Sequence, residues 1–123
     1  MMGLFQRKDN FIMHSGESSD FKIECDELTH ESLGTLAYII SKNFKFSEVY
    51  GIPNGGTKLA KRLKQFIDVE ANQVLIVDDV LTTGNSMREA FRMFPFDNVV
   101  GVVLFARDIC PNNVYSIFNM ELL

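Results

Sequence analysis

The chain of 123 residues predicts a single α/β domain with a parallel sheet held between layers of helices. Two observations carry that expectation. Val74-Leu75-Ile76-Val77 and Val99-Val100-Gly101-Val102-Val103-Leu104-Phe105 are unbroken apolar runs rich in β-branched residues, the pattern of strands covered on both faces. The segments before and between them repeat their apolar residues at spacings of three and four, as one-sided helices do. Strand, helix, strand, helix, strand in that order implies right-handed crossovers and a three-layer arrangement.

Phe11 to Met13 and Phe21 to Ile23 are short extended candidates on either side of a polar turn, Ser15 to Asp20, whose Ser, Gly and Asp content favours reversal. Thr29 suits an N-cap, and Leu33, Leu36, Ala37, Ile40 and Phe44 follow it at helical spacing. Lys42 and Lys45 lie near that helix's end, where its dipole is negative. Val49 to Ile52 reads as a short buried strand, and Pro53-Asn54-Gly55-Gly56 as a sharp loop. A second helix is expected from about Thr57, with Leu59, Ala60, Leu63 and Phe66 on one face and Lys58, Lys61, Arg62 and Lys64 around the rest. After the strand at Val74, a third helix carries Met87, Ala90, Phe91 and Phe94 and stops at Pro95, which cannot continue it. Val114 to Phe118 is a candidate for one more strand after the run that begins at Val99.

Composition narrows the function classes. With 46% hydrophobic and 23% charged residues, the chain is neither disordered nor fibrous. Twelve basic against sixteen acidic side chains leave a net charge of −4, which argues against a nucleic-acid binder. A small anionic ligand is still allowed, because backbone N–H groups can hold a phosphate without a basic surplus. Cys25 and Cys110 are too few for a disulfide framework and belong to no zinc-like cluster. The apolar runs are too short for a membrane span, and Arg7, Lys8 and Asp9 interrupt the start of the chain before a signal-peptide core. A soluble, cytoplasmic protein is expected, with no membrane partner.

Ligands of open parallel sheets bind outside the carboxyl ends of the strands, and two segments fall there. In the first, Val74 to Val77 runs into Asp78-Asp79, then Val80-Leu81, then Thr82-Thr83-Gly84-Asn85-Ser86. Two adjacent carboxylates at a strand end repel each other unless they meet hydroxyls, a metal ion or water. A ribose presents two vicinal hydroxyls to such a pair. The small hydroxyl residues that follow, with a glycine and a helix N-terminus, make an anion cradle. Carboxylates followed at once by a phosphate cradle suit a sugar 5-phosphate. The second segment is Gly51 to Thr57, whose Pro and Gly alone indicate a turn.

Val74 to Ser86 resembles, at every position, the PRPP-binding signature of the type I phosphoribosyltransferases. The resemblance implies a three-layer parallel fold with a small N-terminal hood, formed by residues of about 11–25 and 107–123 around a core of about 28–106. It also implies transfer of a 5-phosphoribosyl group from PRPP to a nucleobase, with Mg²⁺ and release of pyrophosphate. On this footing Asp78 and Asp79 are the catalytic pair, holding the ribose hydroxyls and Mg²⁺ through water. Thr82, Thr83, Gly84, Asn85 and Ser86 hold the 5-phosphate. Pro53, Asn54, Gly55 and Gly56 resemble the pyrophosphate loop, with Lys58 beside it in place of the basic residue that relatives often carry there. The flanks look most like orotate phosphoribosyltransferase: His14-Ser15-Gly16 with Phe21 stands where that enzyme's hood meets the base, and Arg107 where a strand-end arginine does. Relatives in the family dimerise, so a homodimer is expected.

The sequence departs from the family between Gly56 and Val74. The expected helix uses ten of the seventeen residues 57–73, leaving seven, 67–73, to reach the next strand. Family members place a further strand and a long catalytic lid in this interval. Seven residues make a simple connection and nothing more. A second expectation follows: a lid-less module that binds PRPP or a nucleotide with weak turnover or none.

Overall fold

The computed structural model describes residues 30–119. The two extended candidates near the start, the Thr29 cap, Cys25 and the proposed base contacts His14, Ser15, Gly16 and Phe21 lie outside that range. The described elements are α1 (His30–Asn43), β1 (Glu48–Gly51), α2 (Gly55–Leu63), β2 (Val74–Leu81), α3 (Asn85–Arg92), β3 (Val99–Ala106) and β4 (Val114–Asn119), with one 3₁₀ turn, Lys64–Phe66, after α2. The apolar spacing at 33, 36, 37 and 40 forms α1 as expected, and all four side chains are buried.

The strands make one parallel sheet in the order β1-β2-β3-β4. Its registers place Leu75 beside Val49 and Val100, and Val103 beside Ser116. Strand side chains alternate between faces, and two apolar clusters result. On one face Leu36, Ala37 and Ile40 of α1 and Leu59, Ala60 and Leu63 of α2 pack on Leu75, Val77, Val102 and Leu104. On the other, Met87 and Ala90 of α3 pack on Val74, Ile76 and Val103. Three layers follow: α1 and α2, the sheet, α3. The non-alternating runs Val74 to Val77 and Val99 to Leu104 are apolar because both faces are covered.

The expectation of uniformly right-handed crossovers does not hold. The sheet order makes β1→β2 and β2→β3 step in the same direction, yet α2 crosses one face and α3 the other. Two such steps have opposite hands, so one of them is left-handed, against the strong general preference. A second correction concerns the chain's end. Residues 114–119 are not part of a hood but form β4, paired with β3 from Gly101↔Val114 to Ala106↔Asn119. Only 107–113 connect these parallel strands, without a helix, where a dozen residues is the usual minimum. The short return succeeds because β4 begins opposite Gly101, whose N–H bonds to the Asn113 carbonyl at 2.8 Å.

The connection from α2 to β2 is as short as the residue count requires. Asp68 N–H bonds to the Phe46 carbonyl at 2.8 Å, and the Asp68 side chain accepts from Glu70 N–H at 3.0 Å. Phe46 lies just before β1, so 67–73 turn at the amino ends of the strands. No residue of this interval reaches the carboxyl ends.

Candidate functional site

Three chain reversals meet at the carboxyl ends of β1, β2 and β3. β2 is longer than its apolar run, extending through Leu81, so Asp78 and Asp79 lie within the strand rather than after it. They remain paired. Asp79 N–H donates to Asp78 Oδ1 at 2.8 Å, and Val80 N–H to Asp79 Oδ1 at 2.7 Å. Burial, first of all, and then the neighbouring Asp79 carboxyl push Asp78 up from 3.8 to about 7. A carboxyl short of positive neighbours in a half-buried place behaves this way.

The Asp79 carboxyl lies against Gly55. A Cβ on Gly55 would overlap it, so only glycine lets the first turn of α2 close down on the pair. Gly56 is held as closely, since its own Cβ would overlap the Val77 carbonyl. These contacts explain why α2 begins at Gly55, two residues before the Thr57 start that the sequence suggests. The loop is thereby reduced to Ile52-Pro53-Asn54, with a cis peptide between Pro53 and Asn54. Ile52 N–H bonds to the Val77 carbonyl at 2.9 Å, and Gly56 N–H to the Ile52 carbonyl at 2.7 Å. Lys58 is exposed on α2.

On the other side of the pair, Asp78 lines a pocket of about 40 Å³ together with Val80, Thr82, Gly84, Ser86 and Val103, and with the rest of the 82–86 loop. That volume exceeds what a single water needs. Gly84 caps α3 with φ of 86°, a left-handed conformation that glycine adopts without strain. Its carbonyl accepts the first helical bond, from Arg88 N–H at 2.9 Å. Asn85 N–H is taken by Thr83 Oγ1 at 3.2 Å. Ser86 and Met87, which line the pocket, precede the first intrahelical donor, Arg88 N–H, so their amides are available to an anion. Neither α2 nor α3 has an acidic residue in its first turn, whereas α1, which does not serve the site, has Glu31 there. Acidic side chains normally favour that position. The start of α3 thus keeps its positive pole open to the pocket, whereas the start of α2 already faces the Asp79 carboxyl and has its Gly56 and Thr57 N–H groups bonded to the Ile52 and Asn54 carbonyls.

The fold can now be compared with solved structures. A phosphoribosyltransferase from Corynebacterium diphtheriae superposes with a TM-score of 0.56 at 19% identity, over 72% of this chain and 73% of its own. A purine phosphoribosyltransferase from Pyrococcus horikoshii Ot3 gives 0.60 at 18%, over 76% and 86%. An orotate phosphoribosyltransferase from Aeropyrum pernix gives 0.52 at 18%, over 87% and 75%. The fold is that of the type I phosphoribosyltransferases. Neither a protein-family model nor a curated protein sequence matches the chain, so the likeness rests on the fold.

Within this phosphoribosyltransferase fold, the structure brings together the Asp pair, the 82–86 loop, and Gly55 and Gly56. Arg107 is near but separate. Its N–H bonds to the Leu81 carbonyl at 2.9 Å, which ties the end of β3 to the end of β2, while its side chain is exposed and does not line the pocket. Sequence reasoning missed Arg88. Its guanidinium Nη2 donates to Asn85 Oδ1 at 2.5 Å and to the Thr83 carbonyl at 3.4 Å. The available signal was its spacing of three from Asn85 on a helix, which places the two on one face. Among the described residues no cluster of three His, Cys, Asp or Glu could hold a metal, and no helix is long and apolar enough to cross a membrane.

Proposed function

We propose that the protein transfers a 5-phosphoribosyl group from PRPP to a nucleobase, releasing pyrophosphate. The observation that carries this reading is that Asp78-Asp79 stands between the anion-receptive start of α3 and the glycine loop that opens α2: Asp78 lines the 82–86 pocket, and Asp79 touches Gly55. A 5-phosphoribosyl diphosphate has the same order of groups, a phosphate, a diol and a diphosphate. In this reading the amides of Ser86 and Met87, with the Thr82 and Thr83 hydroxyls, hold the 5-phosphate. The Asp78 and Asp79 carboxylates accept from the ribose 2- and 3-hydroxyls. Pro53 to Gly56 face the diphosphate, with Lys58 at the rim.

The donor set fits Mg²⁺. Two hard carboxylate oxygen groups with the remaining positions left to water and substrate oxygens is how this ion is usually held, and burial together with the neighbouring Asp79 carboxyl raises Asp78, a setting in which a cation would favour the ionised pair. When bound, Mg²⁺ would offset the negative charge that grows on departing pyrophosphate. The bond from the anomeric carbon to the diphosphate oxygen breaks as the bond to the base nitrogen forms. Orotate is the base proposed, on Arg107 at the end of β3, whose guanidinium suits an anionic planar ring, and on His14-Ser15-Gly16 and Phe21 in sequence. A homodimer in the cytoplasm completes the reading.

A second reading has its own support: a module that binds PRPP or a nucleotide without turning it over. It rests on the tight 67–73 turn, which lies at the wrong end of the sheet to close the site and exclude water. The test is a base panel with PRPP and Mg²⁺, followed by pyrophosphate release and by calorimetry. Turnover with orotate supports the first reading. PRPP binding with no turnover on any base supports the second, and absence of binding overturns both.

A further inference from the structure

We infer that Arg88 is a positioning residue for phosphate: from behind the 83–85 loop it fixes the loop's shape and supplies its side-chain positive charge. This rests on the reading of that loop as the 5-phosphate cradle. Arg88 does not line the pocket. Its Nη2 reaches both Asn85 Oδ1, at 2.5 Å, and the Thr83 carbonyl, at 3.4 Å, while Nη1 lies 3.2 Å from where a Cβ on Gly84 would stand. One planar guanidinium therefore grips the residues before and after the left-handed Gly84. Both bonds leave from the one nitrogen Nη2, which the planar guanidinium holds in place; a lysine ammonium keeps the charge on a more flexible stem and fixes it less well.

The charge has work to do as well. The pocket is lined on one side by Asp78, with Asp79 next to it, so a phosphate entering it approaches negative groups. The helix N-terminus contributes only about half a unit charge. Among the described residues Arg88 is the cation whose side chain bonds to the loop; like Lys58 and Arg107 it is exposed, but only its guanidinium is fixed against the 83–85 backbone. By bonding to the Thr83 carbonyl, Arg88 also draws an acceptor of the loop toward itself, leaving amides and hydroxyls to the anion.

The test uses Arg88→Gln, which removes the charge, and Arg88→Lys, which keeps it, with inorganic phosphate as the probe in calorimetric titrations at several salt concentrations. Thermal melts check that each variant is folded. The expected result is that Arg88→Gln weakens phosphate on the order of tenfold, the scale of a charge-assisted contact, and flattens the dependence of affinity on salt. Arg88→Lys should keep the salt dependence while recovering only part of the affinity. A purely structural brace would leave the salt dependence unchanged in all three proteins, and that outcome overturns the inference. Equal phosphate affinity in wild type and Arg88→Gln also overturns it, with the cradle itself intact. If wild type binds no phosphate, the reading of the cradle fails too, which separates the two failures.

Discussion

Glycine to alanine substitutions at two helical positions should have opposite effects, and the contrast tests the way the site is built. Gly34 lies inside α1, where the nearest atom to an added Cβ is Arg62 Nη1 at 3.9 Å, an ordinary contact. Alanine there should stabilise the fold by about 0.5–1 kcal/mol through helix propensity and a less free unfolded chain. Gly55 lies in the first turn of α2, where the same methyl overlaps the Asp79 carboxyl. Asp79 must turn away and give up its 2.7 Å bond from Val80 N–H. Losing a bond to a charged acceptor costs about 1.5–3 kcal/mol, and the propensity gain returns up to about 1 kcal/mol. The expected net is about 1–2 kcal/mol of destabilisation, roughly 3–8 °C in melting temperature. PRPP binding should suffer more, because the displaced carboxyl is the one proposed to meet the ribose: a loss of roughly tenfold or more. Urea unfolding and calorimetry with PRPP and Mg²⁺ measure the two effects. If Gly55→Ala is as stable as Gly34→Ala and binds PRPP like wild type, the close approach of α2 to Asp79 has no functional meaning.

Two further outcomes follow from the same carboxyl pair. In metal-free buffer the folded Asp78 carboxyl, raised from 3.8 to about 7, holds its proton more tightly than the unfolded chain does. Wild-type stability relative to Asp78→Asn should therefore fall as pH rises through that window and level off above it. Because Asp78 is only half-buried, solvent screening reduces the effect to about 1–2 kcal/mol; a difference flat from about pH 4 to 8 in urea titrations would contradict the burial argument. Asp79→Asn keeps the shape of the side chain and should weaken PRPP by roughly tenfold to a hundredfold in the presence of Mg²⁺, read by calorimetry, with unchanged affinity counting against the ribose contact.

What the sequence made legible was whatever depends on period and local residue type. The runs at Val74 and Val99 announced strands covered on both faces, and 33, 36, 37 and 40 announced α1, because burial imposes those patterns directly. The Asp pair and the 82–86 loop were legible as an ordered motif. Contacts between distant residues were not. The early start of α2 depends on Gly55 meeting Asp79, twenty-four positions away, and no local propensity contains that contact. β2 continues to Leu81 because Arg107 N–H closes on the Leu81 carbonyl, again a pairing invisible in either segment alone. Arg88 was passed over because an arginine on a short amphipathic helix looks like a solvated face until its partners are seen.

The opposed crossovers give the short 67–73 interval a structural meaning. Suppose a strand followed α2 on the outer side of β1, where β1 has no partner among the described residues. The step from β1 over the α2 face would then run away from β2, while the step over the α3 face still runs from β2 to β3. Opposite directions over opposite faces have the same hand, so the anomaly disappears. One left-handed step is therefore what remains when an outer strand, and whatever loop it carried, is removed from a doubly wound sheet whose other contacts are kept. Without such a strand, Leu59, Ala60 and Leu63 seal the α2 face and the turn at Asp68 joins the chain directly to β2. The 82–86 loop and the carboxyl pair are built by β2 and α3 alone, and the 67–73 turn, at the amino ends of the strands, does not cover them. On the proposed reading, substitutions at Asp79 and Arg88 should therefore lower PRPP affinity in calorimetry, while any turnover is limited by solvent access to a site that 67–73 does not cover.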